Sequence, residues 1–155
     1  TKRNTLFVAG NGGSAATASH IANDFGMAAQ KVGDKEPIKV HALTDNVSLI
    51  SAIANDDGYD EVFIEQLKIH HNQNDDLLVI SASGNSENLI KAARWVKSNG
   101  GKVVGFLGFD GGKLKDIVDL PIIAASPKGE YGPVEDVHMI LDHMMTSWFH
   151  HKLKK

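Results

Sequence analysis

A turn rich in hydroxyl side chains carries the clearest chemistry in the sequence. Residues 81–86 read Ser-Ala-Ser-Gly-Asn-Ser, here called the serine turn. The apolar run Leu77–Ile80 before it predicts a buried strand, and the segment after it repeats apolar residues at helical spacing. Free main-chain N–H groups at a helix N-terminus, together with the hydroxyls of Ser81, Ser83 and Ser86, suit an anion such as phosphate. The structural alternative is an ordinary strand-to-helix connection with Ser86 as the N-cap.

A second loop of similar design lies near the start of the chain. Residues 10–14 read Gly-Asn-Gly-Gly-Ser, here called the glycine loop. It follows a β-prone run, Thr5–Ala9, and precedes an alanine-rich helix predicted from Ser14 to about Ala29. Parallel strands place such loops at the same edge of a sheet. We therefore expect Asn11 and Ser14 to lie beside the serine turn.

Four ionisable residues could add acid–base or metal chemistry. His20 and Asp24 are four residues apart and share one face of the first helix. Glu135 and His143 are eight apart on the predicted last helix, which is ~12 Å along its axis. Imidazoles and carboxylates serve both as ligands of divalent transition ions and as acid–base groups. The alternatives are a surface ion pair for the first two, a packed His143, and a capping-box role for Glu135 with Gly132 as the N-cap.

Composition bounds the protein class. The 155 residues, with 42% hydrophobic and 23% charged residues, predict a single domain spanning 1–155. The net charge of −3 gives no general attraction to nucleic acid or membrane, and no apolar stretch reaches the ~20 residues of a membrane span. The absence of cysteine excludes disulfides and thiolate chemistry, and we expect a cytoplasmic protein. Because the chain begins at Thr1, we expect that a preceding segment has been lost.

The coarse pattern alternates strands with helices. The predicted strands are Thr5–Ala9, Ile38–Leu43, Leu77–Ile80, Lys102–Leu107 and Ile117–Ala124. The predicted helices are Ser14–Ala29, Asp45–Ala54, Tyr59–His70, the segment after Ser86, and Pro133–Lys152, with a turn at Gly33–Pro37. This alternation predicts an α/β fold in which a five-stranded parallel sheet carries helices on both faces.

Four segments together resemble the sugar isomerase (SIS) domain family, especially its phosphoheptose isomerases. They are residues 10–14, 55–59, 81–86 and 134–143, and they occur in order over nearly the whole chain. The resemblance implies a flavodoxin-like, doubly wound SIS domain that isomerises a sugar phosphate, namely sedoheptulose 7-phosphate, through an enediol(ate). It also implies a homotetramer, and an N-terminal helical segment normally precedes the first strand.

The resemblance also implies roles for individual residues. The phosphate would be held by Ser81, Ser83, Ser86, Asn11 and Ser14, and Asp56 would contact sugar hydroxyls. His143 matches an acid or base, Asp24 matches the proton-abstracting carboxylate, and His20 matches a histidine of the zinc site in members that bind zinc. The implied metal ligands are His20, Asp24, Glu135 and His143.

Three positions depart from the family pattern. Asp24 stands where glutamate is usual, Glu135 where glutamine is usual, and Gly132 where an acidic substrate contact is usual. Aspartate is one methylene shorter, which withdraws the base by ~1 Å, and such a misplacement can cost ~100-fold in rate. Glu135 would compensate either as a metal ligand or as the base itself. The alternative function is a phosphosugar-binding or protein-binding SIS module without turnover.

Overall fold

The computed structural model describes residues 4–28 and 38–153. Five strands form one parallel sheet in the order β2-β1-β3-β4-β5. They are β1 (Thr5–Gly10), β2 (Lys39–Ala42), β3 (Asp76–Ser81), β4 (Val103–Gly108) and β5 (Leu120–Ala124). This order is the flavodoxin-like one, so the predicted fold class is confirmed. From β1 the chain adds β2 on one side and then β3, β4 and β5 on the other side, so the strand order reverses between β1 and β3. These two strands precede the glycine loop and the serine turn.

Five α-helices connect and cover the strands. They are α1 (Gly13–Ala28), α2 (Val47–Asp56), α3 (Val62–His70), α4 (Glu87–Ser98) and α5 (Tyr131–Leu153). Short 3₁₀ helices span Tyr59–Glu61 and Lys113–Asp116. Within the described ranges, no helix is both long enough and apolar enough to cross a bilayer.

Each face of the sheet has its own hydrophobic core because successive strand residues point to opposite sides. Val8 and Leu78 pack with α1 and α5 on one face. Phe7 and Leu77 pack with α3 and α4 on the other. Helices on both faces therefore bury the sheet, as the near-continuous apolar strands predict.

Helices α1 and α5 lie side by side and run in the same direction. Near their N-termini, the Glu135 carboxylate lies against Gly13. Further along, the rings of Phe25 and Phe149 meet edge to face, with centroids 5.1 Å apart. Side chains from corresponding turns of the two helices consequently meet, which brings together residues more than 100 positions apart in the sequence.

The last helix begins earlier than predicted. Its first residue is Tyr131, so Gly132 is not an N-cap and Pro133 is the third helical residue. Proline is tolerated there because the first N–H groups of a helix have no intrahelical acceptor. Glu135 is then the fifth helical residue, and the capping-box interpretation of Glu135 is wrong.

The last strand begins later than predicted, at Leu120 instead of Ile117. The N–H groups of Ile117 and Val118 both donate to the carbonyl of Leu114 and extend the preceding 3₁₀ turn. Those groups are therefore unavailable to the sheet. The predicted turn at Gly33–Pro37 and the predicted helix end at Ala29 lie outside the described residues.

Candidate functional site

A cavity of about 360 Å³ opens where β1 and β3 end, and it is here called the serine pocket. In α/β sheets of this type, ligands bind at this reversal of strand order. Residues predicted as phosphate contacts and one predicted catalytic acid line it: Asn11, Ser14, Ser81, Ser83, Ser86 and Glu135. The structure thus brings the glycine loop and the serine turn together, as the sequence predicts.

The three serines of the serine turn are bonded differently. The Ser81 hydroxyl accepts a hydrogen bond from the Gly84 N–H at 3.0 Å, and the Ser83 hydroxyl accepts one from Asn85 at 3.3 Å. Ser86 occupies the N-cap position of α4, but across the described residues its side chain makes no capping hydrogen bond. The N-cap alternative is therefore right about the position and wrong about the bond, and the Ser86 hydroxyl is available to a ligand.

The turn after β4, at residues 108–112, packs closely against the serine turn. Gly84 has a φ of 63°, and a Cβ placed there would lie 2.0 Å from the carbonyl oxygen of Gly111. Gly112 has a φ of 52°, and its Cβ would lie 2.3 Å from the Ser83 carbonyl oxygen. Only glycine permits both the left-handed backbone and this approach. The sequence predicts a glycine-rich turn at residues 108–112 but does not reveal this partner.

An amide pair ties the glycine loop to helix α4. The side chains of Asn11 and Asn88 exchange two hydrogen bonds of 3.0 Å, and the Tyr59 hydroxyl donates to the side-chain Oδ1 of Asn11 at 3.0 Å. Asn88 is 2% exposed, and the sequence analysis did not identify it as a residue of the site. Its signal was a polar residue beside the apolar face of α4. Because the Asn11 amide is largely engaged, its effect on the pocket is chiefly to position the loop.

Glu135, on α5, also lines the serine pocket. A Cβ at Gly13 would lie 2.5 Å from the Glu135 Oε1, so the absence of a side chain at residue 13 leaves room for the carboxylate in this position. An anionic group is favourable there because Gly13 begins α1. Tyr131 also lines the pocket, although the predicted helix began after it. Among the described lining residues no lysine or arginine occurs, so helix N-termini and hydroxyls are the groups offered to an anion.

A second group of side chains lies further along α1 and α5, and it is here called the cation group. It comprises His20, Asp24, Asp142 and His143. The His20 Nε2 lies 3.3 Å from the His143 Nε2, 3.5 Å from the Asp24 Oδ2 and 3.6 Å from the Asp142 Oδ2. Ligands of a tetrahedral zinc ion with bonds of about 2.0–2.1 Å are roughly 3.3–3.5 Å apart. The residue types and their separations therefore fit a divalent transition ion.

The cation group contains three of the four implied metal ligands, namely His20, Asp24 and His143. Glu135 is not a member, and Asp142, which sequence reasoning missed, is the fourth side chain of the group. Its signal in the sequence was an acidic residue directly after the apolar residues Met139, Ile140 and Leu141.

Asp142 is the most deeply buried member of this group. Its side chain is fully buried, and its Oδ2 has no hydrogen-bond partner among the residues that the structure describes. Burial raises the pKa of Asp142, and the nearby charge of Asp24 raises it further. His20 is 41% exposed and His143 is also exposed, so an ion can reach the group from solvent.

Among the described residues, Asp56 neither lines the serine pocket nor belongs to the cation group. It ends α2, and its carboxylate accepts a hydrogen bond of 2.7 Å from the neighbouring Asn55 amide. A larger cavity of about 610 Å³ lies beside the edge strand β2, where His41 and His70 line it. Neither the serine turn nor the cation group contributes to that cavity, so we place the candidate site at the serine pocket.

Comparisons with known proteins agree with this geometry. Residues 1–108 match the model of the SIS domain. The chain is 37% identical to the phosphoheptose isomerase of Leptospira biflexa over 92% of its length and 72% of that protein. It is 34% identical to the enzyme of the same name from Burkholderia pseudomallei, over 96% of the chain and 73% of that protein.

Solved structures of phosphoheptose isomerases are also similar to this chain. The phosphoheptose isomerase of Neisseria gonorrhoeae superposes with a TM-score of 0.83 and 32% identity, over 94% of this chain and 76% of that one. The one from Francisella tularensis gives a TM-score of 0.81 and 27% identity, over 94% and 75%.

Proposed function

The chain belongs to the SIS-domain family, among the phosphoheptose isomerases, and on this premise we propose that it converts sedoheptulose 7-phosphate into an aldoheptose 7-phosphate. The aldose–ketose isomerase class follows from its relatives. The observation that carries the substrate proposal is the serine pocket, where hydroxyls and two helix N-termini face one cavity.

The phosphate sets the register of the substrate. We assign it to the hydroxyls of Ser81, Ser83 and Ser86, with Ser14 and the loop positioned by Asn11 completing the cradle. A phosphate fixed at C7 places the opposite end of the sugar, C1 and C2, toward α1 and α5. Fixed geometry of this kind converts binding energy into rate because the reacting carbons are held beside the acid–base groups.

The reaction moves one proton between two carbons. A carboxylate, Asp24 or Glu135, removes a proton from C1 of the ketose, while His143, when its Nε2 does not ligate a metal ion, donates a proton to the carbonyl oxygen at C2. The resulting enediol has a C1–C2 double bond. Return of a proton to C2, with loss of the C1 hydroxyl proton, gives the aldehyde at C1. Atoms and electrons balance without an oxidant or a reductant.

We further propose that His20, Asp24 and His143 hold a zinc ion. When bound, such an ion supplies Lewis-acid polarisation of the substrate's carbonyl and hydroxyl oxygens. The His20 and His143 Nε2 atoms, 3.3 Å apart, support this proposal because two ring nitrogens at that distance suit a shared cation.

We also propose a cytoplasmic homo-oligomer. Helix α5 exposes Ile140, Met144 and Trp148, which are 54%, 63% and 55% exposed and four residues apart. This spacing forms one apolar stripe along the helix, an arrangement typical of an interface between subunits. The tetramer implied by the family resemblance is the assembly we expect.

A turnover comparison tests the proposed function. The purified protein is incubated with sedoheptulose 7-phosphate and, separately, with unphosphorylated sedoheptulose, each with and without zinc, and the aldose is measured by chromatography. We expect conversion of the phosphorylated ketose at least about 100-fold faster, because remote binding energy at the phosphate is used at the reacting carbons. Equal rates for both sugars, or no conversion of either, would contradict the proposal.

A further inference from the structure

The first two turns of α5 contribute a wall of their own to the serine pocket. Tyr131 and Glu135 both line the pocket, and because they are four residues apart their side chains share one face of the helix. The other lining residues belong to the glycine loop and to residues 80–89, which include the serine turn. Tyr131 and Glu135 are therefore the polar side chains that α5 offers to a ligand in this pocket.

The ring of Tyr131 is held in a defined position. It meets the ring of Phe109 edge to face, with centroids 5.2 Å apart and ring planes at 80°. Phe109 is 9% exposed, has a φ of 52°, and belongs to a small buried cluster with Ala82 of the serine turn. A residue other than glycine keeps a left-handed backbone only where its surroundings fix it. The Tyr131 ring therefore packs on a support that is continuous with the serine turn.

The hydroxyl of Tyr131 makes no hydrogen bond to any residue that the structure describes. The side chain is 52% exposed. The hydroxyl of Tyr59, in contrast, donates to the side chain of Asn11. A phenol can both donate and accept a hydrogen bond, and it is uncharged at neutral pH. The Tyr131 hydroxyl is consequently available to a ligand in the pocket.

The charge of Glu135 indicates which part of a phosphosugar lies beside Tyr131. The two residues are ~6 Å apart along the helix axis. A phosphate at this wall would lie near the Glu135 carboxylate, and like charges at such a distance repel each other. The serine turn instead offers hydroxyls and the N-terminus of α4 to the phosphate. The neutral hydroxyls of the sugar chain are therefore left to face Tyr131.

We propose that Tyr131 determines specificity, because its phenol hydroxyl hydrogen-bonds a hydroxyl of the sugar chain between the phosphate and the reacting carbons. This inference rests on the proposed function, since it takes the ligand of the serine pocket to be a phosphosugar. The contact favours a polyhydroxylated chain over a phosphate that lacks one. Tyr131 binds the substrate and takes no part in the proton transfer, so its loss affects KM and not kcat.

The variant Tyr131→Phe tests the contact, because it removes the hydroxyl and keeps the ring against Phe109. Ser98→Ala is the matched control, since it removes an exposed hydroxyl at the far end of α4, outside the pocket lining. Calorimetric titration measures the affinity of each protein for sedoheptulose 7-phosphate and for inorganic phosphate. We expect Tyr131→Phe to weaken binding of the sugar phosphate about 5- to 10-fold, the effect of one net hydrogen bond, and to leave binding of inorganic phosphate within about twofold. Ser98→Ala should change neither affinity.

Turnover and thermal unfolding are measured on the same proteins. Tyr131→Phe should raise KM by the factor found in the titration and keep kcat within about threefold of wild type, because the hydroxyl is not at the reacting carbons. The Tm should stay within about 1 °C of wild type, since the packing of the ring is kept and the lost hydroxyl has no partner among the described residues.

Three outcomes would overturn the inference. They are an unchanged affinity of Tyr131→Phe for sedoheptulose 7-phosphate, an equal weakening for inorganic phosphate, which would place the phenol at the phosphate, and a lower kcat with an unchanged KM. If wild type converts the ketose and Tyr131→Phe behaves like wild type, the inference fails and the proposed function stands. If the proteins bind the sugar phosphate in the expected order but form no aldose, the proposed isomerisation fails and the role of Tyr131 stands.

Discussion

The hydroxyls of Ser81 and Ser86 differ in their hydrogen bonds within the protein, so their alanine variants should differ in stability. We expect Ser86→Ala to weaken phosphosugar binding about 10-fold, because it removes a hydroxyl available to the phosphate, while the free energy of unfolding changes by less than about 0.5 kcal/mol. We expect Ser81→Ala to lower the free energy of unfolding by about 1–3 kcal/mol, because the buried Gly84 N–H loses its acceptor. Calorimetric titration with sedoheptulose 7-phosphate and denaturant unfolding measure the two effects. Unchanged affinity in Ser86→Ala, or a stability loss equal to that of Ser81→Ala, would count against the assignment.

A buried histidine makes stability depend on pH. His138 is 1% exposed, and its Nε2 lies 3.1 Å from the Leu107 carbonyl oxygen, to which it donates. Burial lowers the pKa of His138, so the unfolded chain takes up a proton there at a higher pH than the folded one. The native state should therefore lose stability as the pH falls below the unfolded value of about 6.5, by up to ~1.4 kcal/mol per pH unit.

The variant His138→Gln isolates this effect. Glutamine keeps a donor for the Leu107 carbonyl but does not titrate. Between about pH 7 and pH 5.5, wild type should lose roughly 1 kcal/mol more unfolding free energy than the variant, as measured by urea denaturation. Parallel pH profiles for the two proteins would show that His138 is not the group responsible.

At this scale, local chemistry was predictable and long-range pairing was not. The serine turn and the glycine loop could be recognised in the sequence because strand, turn and helix are contiguous there. Asp142 and Asn88 could not be recognised in this way, because their partners lie on other elements. An acid within an apolar helical stretch is the clue that such a partner exists.

Among the elements, the serine turn depends on the turn that follows β4. Gly84→Ala would place its Cβ 2.0 Å from the Gly111 carbonyl oxygen on a backbone with φ of 63°. We expect a loss of at least about 2 kcal/mol in unfolding free energy, since backbone must move, together with loss of phosphosugar binding. Thermal denaturation and calorimetry measure both.

Gly129 provides the matched control. It also has a positive φ, of 101°, but within the part of the chain that the structure describes nothing lies within 4 Å of its added Cβ. Gly129→Ala should therefore report the backbone cost alone, about 1 kcal/mol, with phosphosugar affinity unchanged. Equal effects of the two substitutions would mean that the contact between the two turns is unimportant.

Helix prediction succeeded where periodicity carried the signal, and it failed at the helix ends. The apolar spacing in α4 is plain in the sequence, whereas for α5 Pro133 suggested a helix start that the structure places at Tyr131. The parallel pairing of α1 with α5 follows from the packing of both helices on one sheet face, which no local pattern encodes. Yet that pairing creates the cation group.

For the whole molecule, the apolar stripe on α5 predicts self-association. Met144→Glu places a charge in the middle of the stripe, where Met144 is 63% exposed in the single chain. We expect the variant to shift toward monomer in light scattering coupled to size-exclusion chromatography, because burying an unpaired charge in an interface is costly. Val47→Glu is the control, since Val47 is 73% exposed on α2, outside the stripe. Equal masses for Met144→Glu and wild type would contradict an interface on this face.

The overall architecture was the most predictable level. Strands alternating with helices determine a parallel sheet, and two loops rich in glycine and serine locate its ligand edge. The ~12 Å between Glu135 and His143 follows from helix geometry. The placement of Glu135 beside Gly13 and of His143 beside His20 was not predictable, because it depends on which turns of α1 and α5 face each other.

Hydrogen isotope exchange during turnover tests the central claim most directly. The protein is incubated with sedoheptulose 7-phosphate in D₂O, and substrate and product are followed by NMR. Proton transfer through an enediol, with exchange from the protonated base into solvent, predicts an aldoheptose 7-phosphate that carries deuterium at C2. A bound but unchanged ketose, with no deuterium at C1 and no aldose formed, would contradict the account.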